Sequence, residues 1–512
     1  PEHVVLVTPS ESSNKSVTEE YVTNLRQRLA TDWKGPSEYA LHILFTKFVR
    51  HAESKLNICL QYPITSEPPI VDILGEGVDP VFDKIIESLG HIARKKPKPV
   101  IDAMMFWRKT KSEIASMAAD VVDKLLREYE NEQSKGLQSK PQAHNNLTNT
   151  HSKTLSNSSR FSHKRNDSSR SSAGSRNFME TNRTRELEIK IEAAKETAFQ
   201  ADRKSLISIF ILCRVLIEIV KQAPDDGDAD LSDKLEEIVF TQLKTTDPMS
   251  ISSSIIKSSN WNSFAELLGW MSEKKFLSVS DRFIADLEKL PKFVTRDLEP
   301  GVHLLILGMR YLRFKNYPLE QFEATADFMK SISKFFLNAE NLSVKLAYAE
   351  LITQLLLPLA GSLTAEVNHP TWVEAMTILL DAANKLQSEA KYWASGFRLT
   401  VSVLCTSPAE LFSQYWIALV EKSSKKVRNK DLSVRVLFVV GLSRLVWVYL
   451  YRCPETLNNT TRTLTKIMAL YLNSKRKESW ITADLELINP LSDVLVTCLL
   501  YTSDAADELD GV

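Results

Sequence analysis

Glycine is scarce in this sequence, with 14 glycines among 512 residues, against an average of about 7% in proteins. β-Sandwiches and doubly wound sheets use more glycine than this, because their tight turns need backbone conformations that other residues avoid. The scarcity therefore favours helices. Hydrophobic residues make up 43% of the chain, which is enough for a sizeable core and excludes wholesale disorder.

Cysteine is also scarce, and its five positions are widely scattered. No two of them lie at metal-ligand spacing, and a disulfide framework would need a higher density. We therefore expect a protein of a reducing compartment, the cytoplasm. The five positions are Cys59, Cys213, Cys405, Cys453 and Cys498.

The chain has no excess of charge of either sign, with 64 Lys and Arg against 64 Asp and Glu. Proteins that bind nucleic acid usually carry a basic excess, so we expect no nucleic-acid partner. The basic run Lys422–Lys426 has two interpretations, a docking patch or a solvated loop between helices. Of the two, the solvated loop is the commoner role for such a run.

The sequence contains no P-loop, no dinucleotide fingerprint, no zinc-protease helix, no nucleophile elbow and no kinase signature. We therefore predict that the protein is not an enzyme and has no catalytic, cofactor-binding or metal-binding residues. One pattern is similar to a calcium-binding EF-hand loop, with Asp226, Asp228, Asp230 and Glu237 at its first, third, fifth and twelfth positions. Its sixth position needs glycine and is Leu231, so we interpret it as an acidic loop before a helix capped by Ser232.

Two apolar runs are long enough to be compared with membrane spans. Leu206–Val220 is too short and contains Arg214 and Glu218, whereas Leu432–Tyr451 has the length but carries two arginines. Each arginine at the centre of a bilayer costs about 2.5–3.5 kcal/mol. We therefore predict two buried helices and no transmembrane segment.

Helical periodicity divides the chain into segments. We assign residues 1–36 to a polar N-terminal segment and residues 37–131 to a first helical part, in which Tyr62–Gly77 is a proline-rich loop. Asp79 and Pro80 form a typical helix start, because an acidic N-cap precedes a proline at the first helical position.

Residues 132–182 form a predicted insertion that is basic and rich in serine. Between Ser134 and Arg176 there are eight Lys or Arg, one acidic residue and almost no apolar side chain. Such a segment buries too little surface to offset the entropy lost on ordering, so we predict that it is disordered. Its charge could attract acidic surfaces or lipids weakly.

Helical periodicity resumes over residues 183–497, which we interpret as the continuation of the same domain. Helix-sized pieces separated by prolines predict an all-α fold, a HEAT- or armadillo-like α-solenoid with a disordered insertion. Helix N-caps are predicted at Ser232, Asn341 and Asp431. Residues 498–512 resemble a translated sequencing adaptor, and the chain opens at Pro1 without methionine, so we expect a fragment with a non-native tail.

One serine of the insertion lies in a kinase-like sequence. His163 and Arg165 precede Ser168 by five and three residues, which resembles the pattern preferred by kinases of the NDR and LATS type. Serine is so abundant here that a chance match is the alternative interpretation. We predict phosphorylation of Ser168.

Two segments of the first helical part resemble the Furry family of cell-morphogenesis proteins in a fungal form. They are Glu38–Arg50 and Leu89–Asp102, the second continuing through Phe106–Lys109. The residues that carry the resemblance are Tyr39, Phe45, Phe48, Arg50, Pro97, Pro99, Trp107 and Arg108.

The resemblance implies the N-terminal part of a non-catalytic scaffold, with an NDR-family kinase and a Mob coactivator as partners in polarised growth. It also implies a place in the cytoplasm, at the cell cortex or at sites of growth. A general α-solenoid adaptor for transport or trafficking is the alternative, and composition alone does not separate the two.

Overall fold

The computed structural model describes residues 36–138, 171–224 and 229–453, positions 459, 469 and 489, and the stretches 461–466 and 492–496. This part of the chain contains no strand, so the predicted all-α class is confirmed. The α-helices are α1 Pro36–Leu60, α2 Ile70–Leu74, α3 Pro80–Ala93, α4 Pro97–Gln138, α5 Ser171–Gln222, α6 Ala229–Thr245, α7 Pro248–Ser253, α8 Ile255–Ser272, α9 Phe276–Glu288, α10 Glu299–Leu307, α11 Leu319–Asn338, α12 Leu342–Leu356, α13 Pro370–Ser388, α14 Trp393–Cys405, α15 Ala409–Ser423 and α16 Leu432–Arg452.

The chain forms two compact units, Pro1–Val215 and Leu216–Val512. The boundary lies inside α5 and not at the insertion, so the first unit holds helices from both sides of residues 139–170. In the first unit, α3 packs against α1 and α4.

Two of the predicted helix starts are confirmed. The Asp79 carboxylate accepts hydrogen bonds from the backbone N–H groups of Val81 and Phe82, at 3.0 and 3.2 Å, and Pro80 is the first residue of α3. Asp431 accepts from the backbone N–H of Ser433 at 2.9 Å and starts α16. Local chemistry sets both starts, since a carboxylate satisfies N–H groups that have no partner within the helix.

Two local predictions are wrong. Ser232 is not an N-cap, because α6 already begins at Ala229. Tyr62–Gly77 is not simply a loop, because it contains a 3₁₀ turn at Ile64–Ser66 and the short helix α2. The two apolar ends of α2, Ile70 and Leu74, lie on one face and are both buried, which stabilises a single helical turn.

Asn341 precedes α12 as predicted, but its side chain forms no cap. Its Oδ1 accepts from the backbone N–H of Val294 and its Nδ2 donates to the carbonyl of the same residue, both at 2.8 Å. The amide therefore pairs with both backbone groups of one residue in the connection between α9 and α10, within the second unit.

The helices extend into both ends of the predicted insertion, which corrects its bounds. α4 runs to Gln138 and α5 begins at Ser171, so the first and last parts of 132–182 are helical. Extending an existing helix adds one hydrogen bond per residue without a new nucleation cost, so polar residues can continue it. Residues 139–170 lie outside the described residues.

In the second unit, most helices pack against the helix that lies two places further along the chain. One row consists of α9, α11 and α13, and a second row consists of α10, α12, α14 and α16. Contacts between α11 and α12 and between α13 and α14 join the rows. From α9 to α14 the helices therefore alternate between the two rows, whereas α15 packs mainly on α14 and α16.

Large aromatic side chains fill the space between these helices. The indole of Trp372 lies 5.3 Å from the ring of Phe322, and its Nε1 donates to the carbonyl of Thr406 at 2.8 Å. Further along, Trp416 stacks on Tyr449 at 4.6 Å. The first ring pair joins α11 to α13, and the second joins α15 to α16.

Arg452, the last residue of α16, donates hydrogen bonds to three backbone carbonyls. Its guanidinium donates to Ser407 at 3.1 Å and to Ala360 and Leu363 at 2.9 Å each. Burial lowers the pKa of Arg452 below its ordinary value because it removes the charge from water. One side chain thus joins the end of α16 to two other connections of the second unit.

Among the described residues, two helical stretches, Leu342–Leu359 and Leu432–Arg452, are long and apolar enough to cross a membrane by length and composition alone. Half of each lies inside the fold. α12 packs against α10, α11 and α14, and α16 packs against α14 and α15. Core helices pass the same length test, so the absence of a transmembrane segment stays a prediction.

Candidate functional site

The first unit contains the residues of the family-like segments. Phe45 and Phe48 on α1 are buried, as is Trp107 on α4. The ring of Phe48 lies 5.9 Å from Phe45, 5.9 Å from Phe82 and 5.4 Å from Trp107. The aromatic residues of the two segments therefore meet in one core, where each contact adds to the burial of apolar surface.

The other residues that carry the resemblance are not in that core. Tyr39 is 68% exposed, and Arg50 is exposed on the same helix. Pro97 and Pro99 are half-buried in the first turn of α4, where a proline sacrifices no helical hydrogen bond. Arg108 is half-buried, and desolvation lowers its pKa below the ordinary value. Of the eight residues that carry the resemblance, Tyr39 and Arg50 are thus the exposed ones.

Three charged side chains from three helices meet beside this core. Glu53 on α1 forms an ion pair with Lys111 on α4, and both are buried. Lys204 on α5 is half-buried, and its pKa lies below the ordinary value. Desolvation is the largest cause, the charge of Lys111 acts in the same direction, and Glu53 opposes both. One carboxylate thus interacts with two ammonium groups.

Two arginines of α5 hold the connection between α1 and α3. Arg203 donates to the carbonyls of Cys59 and Tyr62 and forms an ion pair with Glu67 at 2.8 Å. Cys59 lies in the last turn of α1, so the guanidinium satisfies carbonyls at that helix end.

Arg214, three helical turns further along α5, donates to the carbonyl of Leu74 at 2.6 Å and to the Asp83 carboxylate at 2.7 Å. Its guanidinium also lies 5.9 Å from the ring of Phe82. Sequence reasoning used Arg214 only as an argument against a membrane span and did not single out Arg203. For Arg214 the available signal was a charge within the apolar run Leu206–Val220, because such a charge needs a partner when it is buried. Arg203 lies between Asp202 and Lys204, where no such signal exists.

The structure describes only part of the other sites predicted from the sequence. Ser168, His163 and Arg165 lie outside the described residues, so phosphorylation of Ser168 stays a prediction. Asp226 and Asp228 lie outside them too, whereas Asp230 and Leu231 already belong to α6. A helix through these positions cannot wrap a calcium ion as an EF-hand loop does. In the described part of the chain no group of three or more His, Cys, Asp or Glu could hold a metal ion.

The chain resembles proteins named for cell shape and polarity. Residues 202–507 match the family model described as cell morphogenesis N-terminal. The chain is 64% identical to the cell morphogenesis protein PAG1 of Saccharomyces cerevisiae over 510 residues, which cover 96% of the chain and 22% of that protein. It is 31% identical to the cell polarity protein mor2 of Schizosaccharomyces pombe over 427 residues, which cover 80% of the chain and 16% of that protein.

The chain therefore spans about a fifth of the length of these relatives. No solved structure matches it. The family match ends at residue 507, inside the segment 498–512, which lies outside the described residues and whose adaptor origin stays a prediction.

Proposed function

The chain belongs to the Furry family of cell-morphogenesis proteins, and from that premise we propose that it is the N-terminal part of a non-catalytic scaffold in NDR kinase–Mob signalling. The scaffold would act in cell morphogenesis and polarised growth. The observation that carries the proposal is the similarity to two proteins named for morphogenesis and polarity. Their names state no catalytic activity.

The packing of the second unit supports a scaffold of the HEAT or armadillo kind. Helices that fall alternately into two rows are the arrangement of such repeats, in which each repeat packs mainly on its neighbours. Repeats of this kind present long surfaces to partners, and a kinase with its coactivator is a partner of suitable size. We place the protein in the cytoplasm, at the cortex or at growth sites, without a transmembrane segment.

The first unit suggests where partners could bind. Of the family-like residues, Phe45, Phe48 and Trp107 are buried, so they act on stability. Tyr39 and Arg50 are exposed. In the described part of the chain their side chains make no hydrogen bond or ion pair that would give them a role in stabilising the fold. We propose that they contribute to the contact with the kinase or with Mob.

The test is a pull-down with the purified chain, an NDR-family kinase and a Mob coactivator, each alone and together. We expect capture of the kinase–Mob pair and weaker capture by the variant Tyr39→Ala/Arg50→Ala. The matched control is Val81→Ala/Lys84→Ala, because both residues are exposed on α3 of the same unit. If no kinase or Mob is captured under any condition, this chain is not the kinase-binding part. That result would favour the alternative function, a general α-solenoid adaptor.

A further inference from the structure

Two basic connections of the second unit meet on one surface. One is the 3₁₀ segment Ala390–Tyr392 between α13 and α14, and the other is the 3₁₀ segment Ser424–Arg428 after α15. We call the lysines of this region the basic surface. Its members are Lys391, Lys422, Lys425, Lys426 and Lys430, all exposed except Lys426, which is half-buried.

Contacts between buried side chains hold the two connections together. Gln387 at the end of α13 donates to the hydroxyl of Ser423 at the end of α15, at 3.3 Å, and both residues are buried. Gly396 allows α14 to approach closely, because a Cβ there would lie 2.4 Å from the backbone nitrogen of Gln387. The ammonium of Lys426 lies 4.6 Å from the centre of the Trp393 ring. The basic surface is therefore built on fixed backbone.

Positive charge on this surface exceeds negative charge. Within residues 385–393 and 421–431 the described side chains include six lysines and three acidic residues. Two of the acidic residues are engaged elsewhere, since Glu421 pairs with Lys466 and Asp431 caps α16. Of the described residues, none forms an ion pair with Lys391, Lys422, Lys425 or Lys430.

The ends of α13 and α15 offset only a small part of this charge. A helix C-terminus carries roughly half a negative charge, so lysines in its last turn are favourable. Two such ends are equivalent to about one negative charge. Most of the positive charge on the basic surface is therefore available to an anionic partner.

We propose that the basic surface binds an acidic segment of another protein, a run of Asp and Glu or of phosphorylated residues. Carboxylates and phosphates share the chemistry that ammonium groups recognise. A lipid bilayer fits less well, because no large apolar side chain in 385–393 or 421–431 that the structure describes is exposed to enter it. The proposal goes beyond the scaffold function, since it does not require the partner to be a kinase or Mob.

The test is the binding of a fluorescein-labelled polyglutamate peptide to the full chain, followed by fluorescence anisotropy. We expect binding that weakens as salt is raised, and an affinity lower by about tenfold in Lys422→Glu/Lys425→Glu. The matched control is Lys292→Glu/Lys334→Glu, which makes the same charge change at exposed lysines on other parts of the unit. Circular dichroism melting curves check that both variants fold.

Three outcomes would overturn the proposal. The wild-type chain could fail to bind the peptide, or the two variants could lose equal affinity, which would indicate attraction by overall charge. In the third outcome, the chain does not bind the peptide but sediments with vesicles of phosphatidylcholine and phosphatidylserine through Lys422 and Lys425. Failure here leaves the kinase–Mob pull-down unaffected, because that experiment varies Tyr39 and Arg50.

Discussion

Lys111 forms an ion pair with Glu53 inside the first unit, where each side chain exposes only 7% of its surface. Removing two charges from water is costly, so such a pair stabilises a fold less than its geometry suggests. Removing one partner is far worse, because the other charge stays buried alone. Here the loss of Glu53 would leave two ammonium groups, those of Lys111 and Lys204, without their carboxylate.

We expect Glu53→Gln to destabilise the first unit by roughly 3–5 kcal/mol. The double variant Glu53→Met/Lys111→Met should cost much less, since it leaves no unpaired charge of the pair. Urea unfolding followed by circular dichroism measures both. Equal losses in the two variants would mean that packing volume, and not charge, decides stability at this position.

Limited proteolysis tests how the helices before and after the insertion are connected. We expect the first cuts between Ser134 and Glu180, in the polar sequence of the insertion. The two products should stay associated under native conditions, because Arg203 and Arg214 of α5 bind the connection between α1 and α3. Size-exclusion chromatography of the nicked protein measures this.

The variant Arg203→Ala/Arg214→Ala provides the comparison for the nicked protein. We expect its two products to separate more readily, because the carbonyls of Tyr62 and Leu74 and the carboxylates of Glu67 and Asp83 lose the guanidinium donors of α5. Products of the wild-type chain that separate at once would contradict the packing described for the first unit.

The side-chain amide of Asn341 offers a graded test. Asn341→Ala removes both hydrogen bonds to the backbone of Val294, and we expect a loss of about 1–3 kcal/mol. Asn341→Asp keeps the acceptor for the Val294 N–H but places a second carboxylate oxygen opposite the Val294 carbonyl, and because two acceptors repel each other, the loss should be no smaller than in Asn341→Ala. Thermal melting of the two variants ranks them. The reverse order would mean that the pairing does not hold this connection.

The thiol of Cys59 makes the stability of the fold depend on pH. Burial, assisted by the charge of Glu67, raises the pKa of Cys59 from 9.0 to about 11. Between these values the unfolded chain loses the thiol proton and the folded chain keeps it. Unfolding therefore releases a proton, and this thiol makes stability fall as pH rises from 9 towards 11.

Cys59→Ala should remove that part of the pH dependence. Urea unfolding of the two proteins at several pH values measures the difference in stability, which should shrink above pH 9. A difference that stays constant across this range would show that the Cys59 thiol titrates normally in the folded protein.

Phosphorylation of Ser168 is the prediction that depends on sequence alone. Incubation with an active NDR-family kinase should add a phosphate there, detectable by mass spectrometry and reduced in His163→Ala and Ser168→Ala. A phosphate adds about −1.5 to −2 charges at neutral pH, which would offset part of the basic charge of the insertion. No label in the wild-type chain, or undiminished label in both variants, would contradict it.

Sequence reasoning predicted what depends on neighbouring residues. The helix starts at Asp79 and Asp431 follow from one carboxylate and the N–H groups next to it, so a local pattern suffices. Asn341 shows the limit, because the position was right and the hydrogen-bond partner, Val294, lies 47 residues away.

The charge network of the first unit could not be predicted from the sequence for the same reason. Arg203 and the carbonyl of Cys59 are separated by 144 residues, and nothing near either one indicates the other. The family-like segments contain Phe48 and Trp107 of the aromatic core, but the resemblance did not indicate that these rings meet. The segments did not indicate which of their residues stay exposed, because exposure depends on where α3 and α5 pack.

The three carbonyls bound by Arg452 set a limit on how far this chain can be shortened. A truncation before residue 452 would leave the carbonyls of Ser407, Ala360 and Leu363 without this donor, although none of these residues would be deleted. The damage would therefore fall some 45 to 92 residues upstream of the cut. A worker who trims the protein for crystallisation should keep α16 whole, even where its last turn looks dispensable.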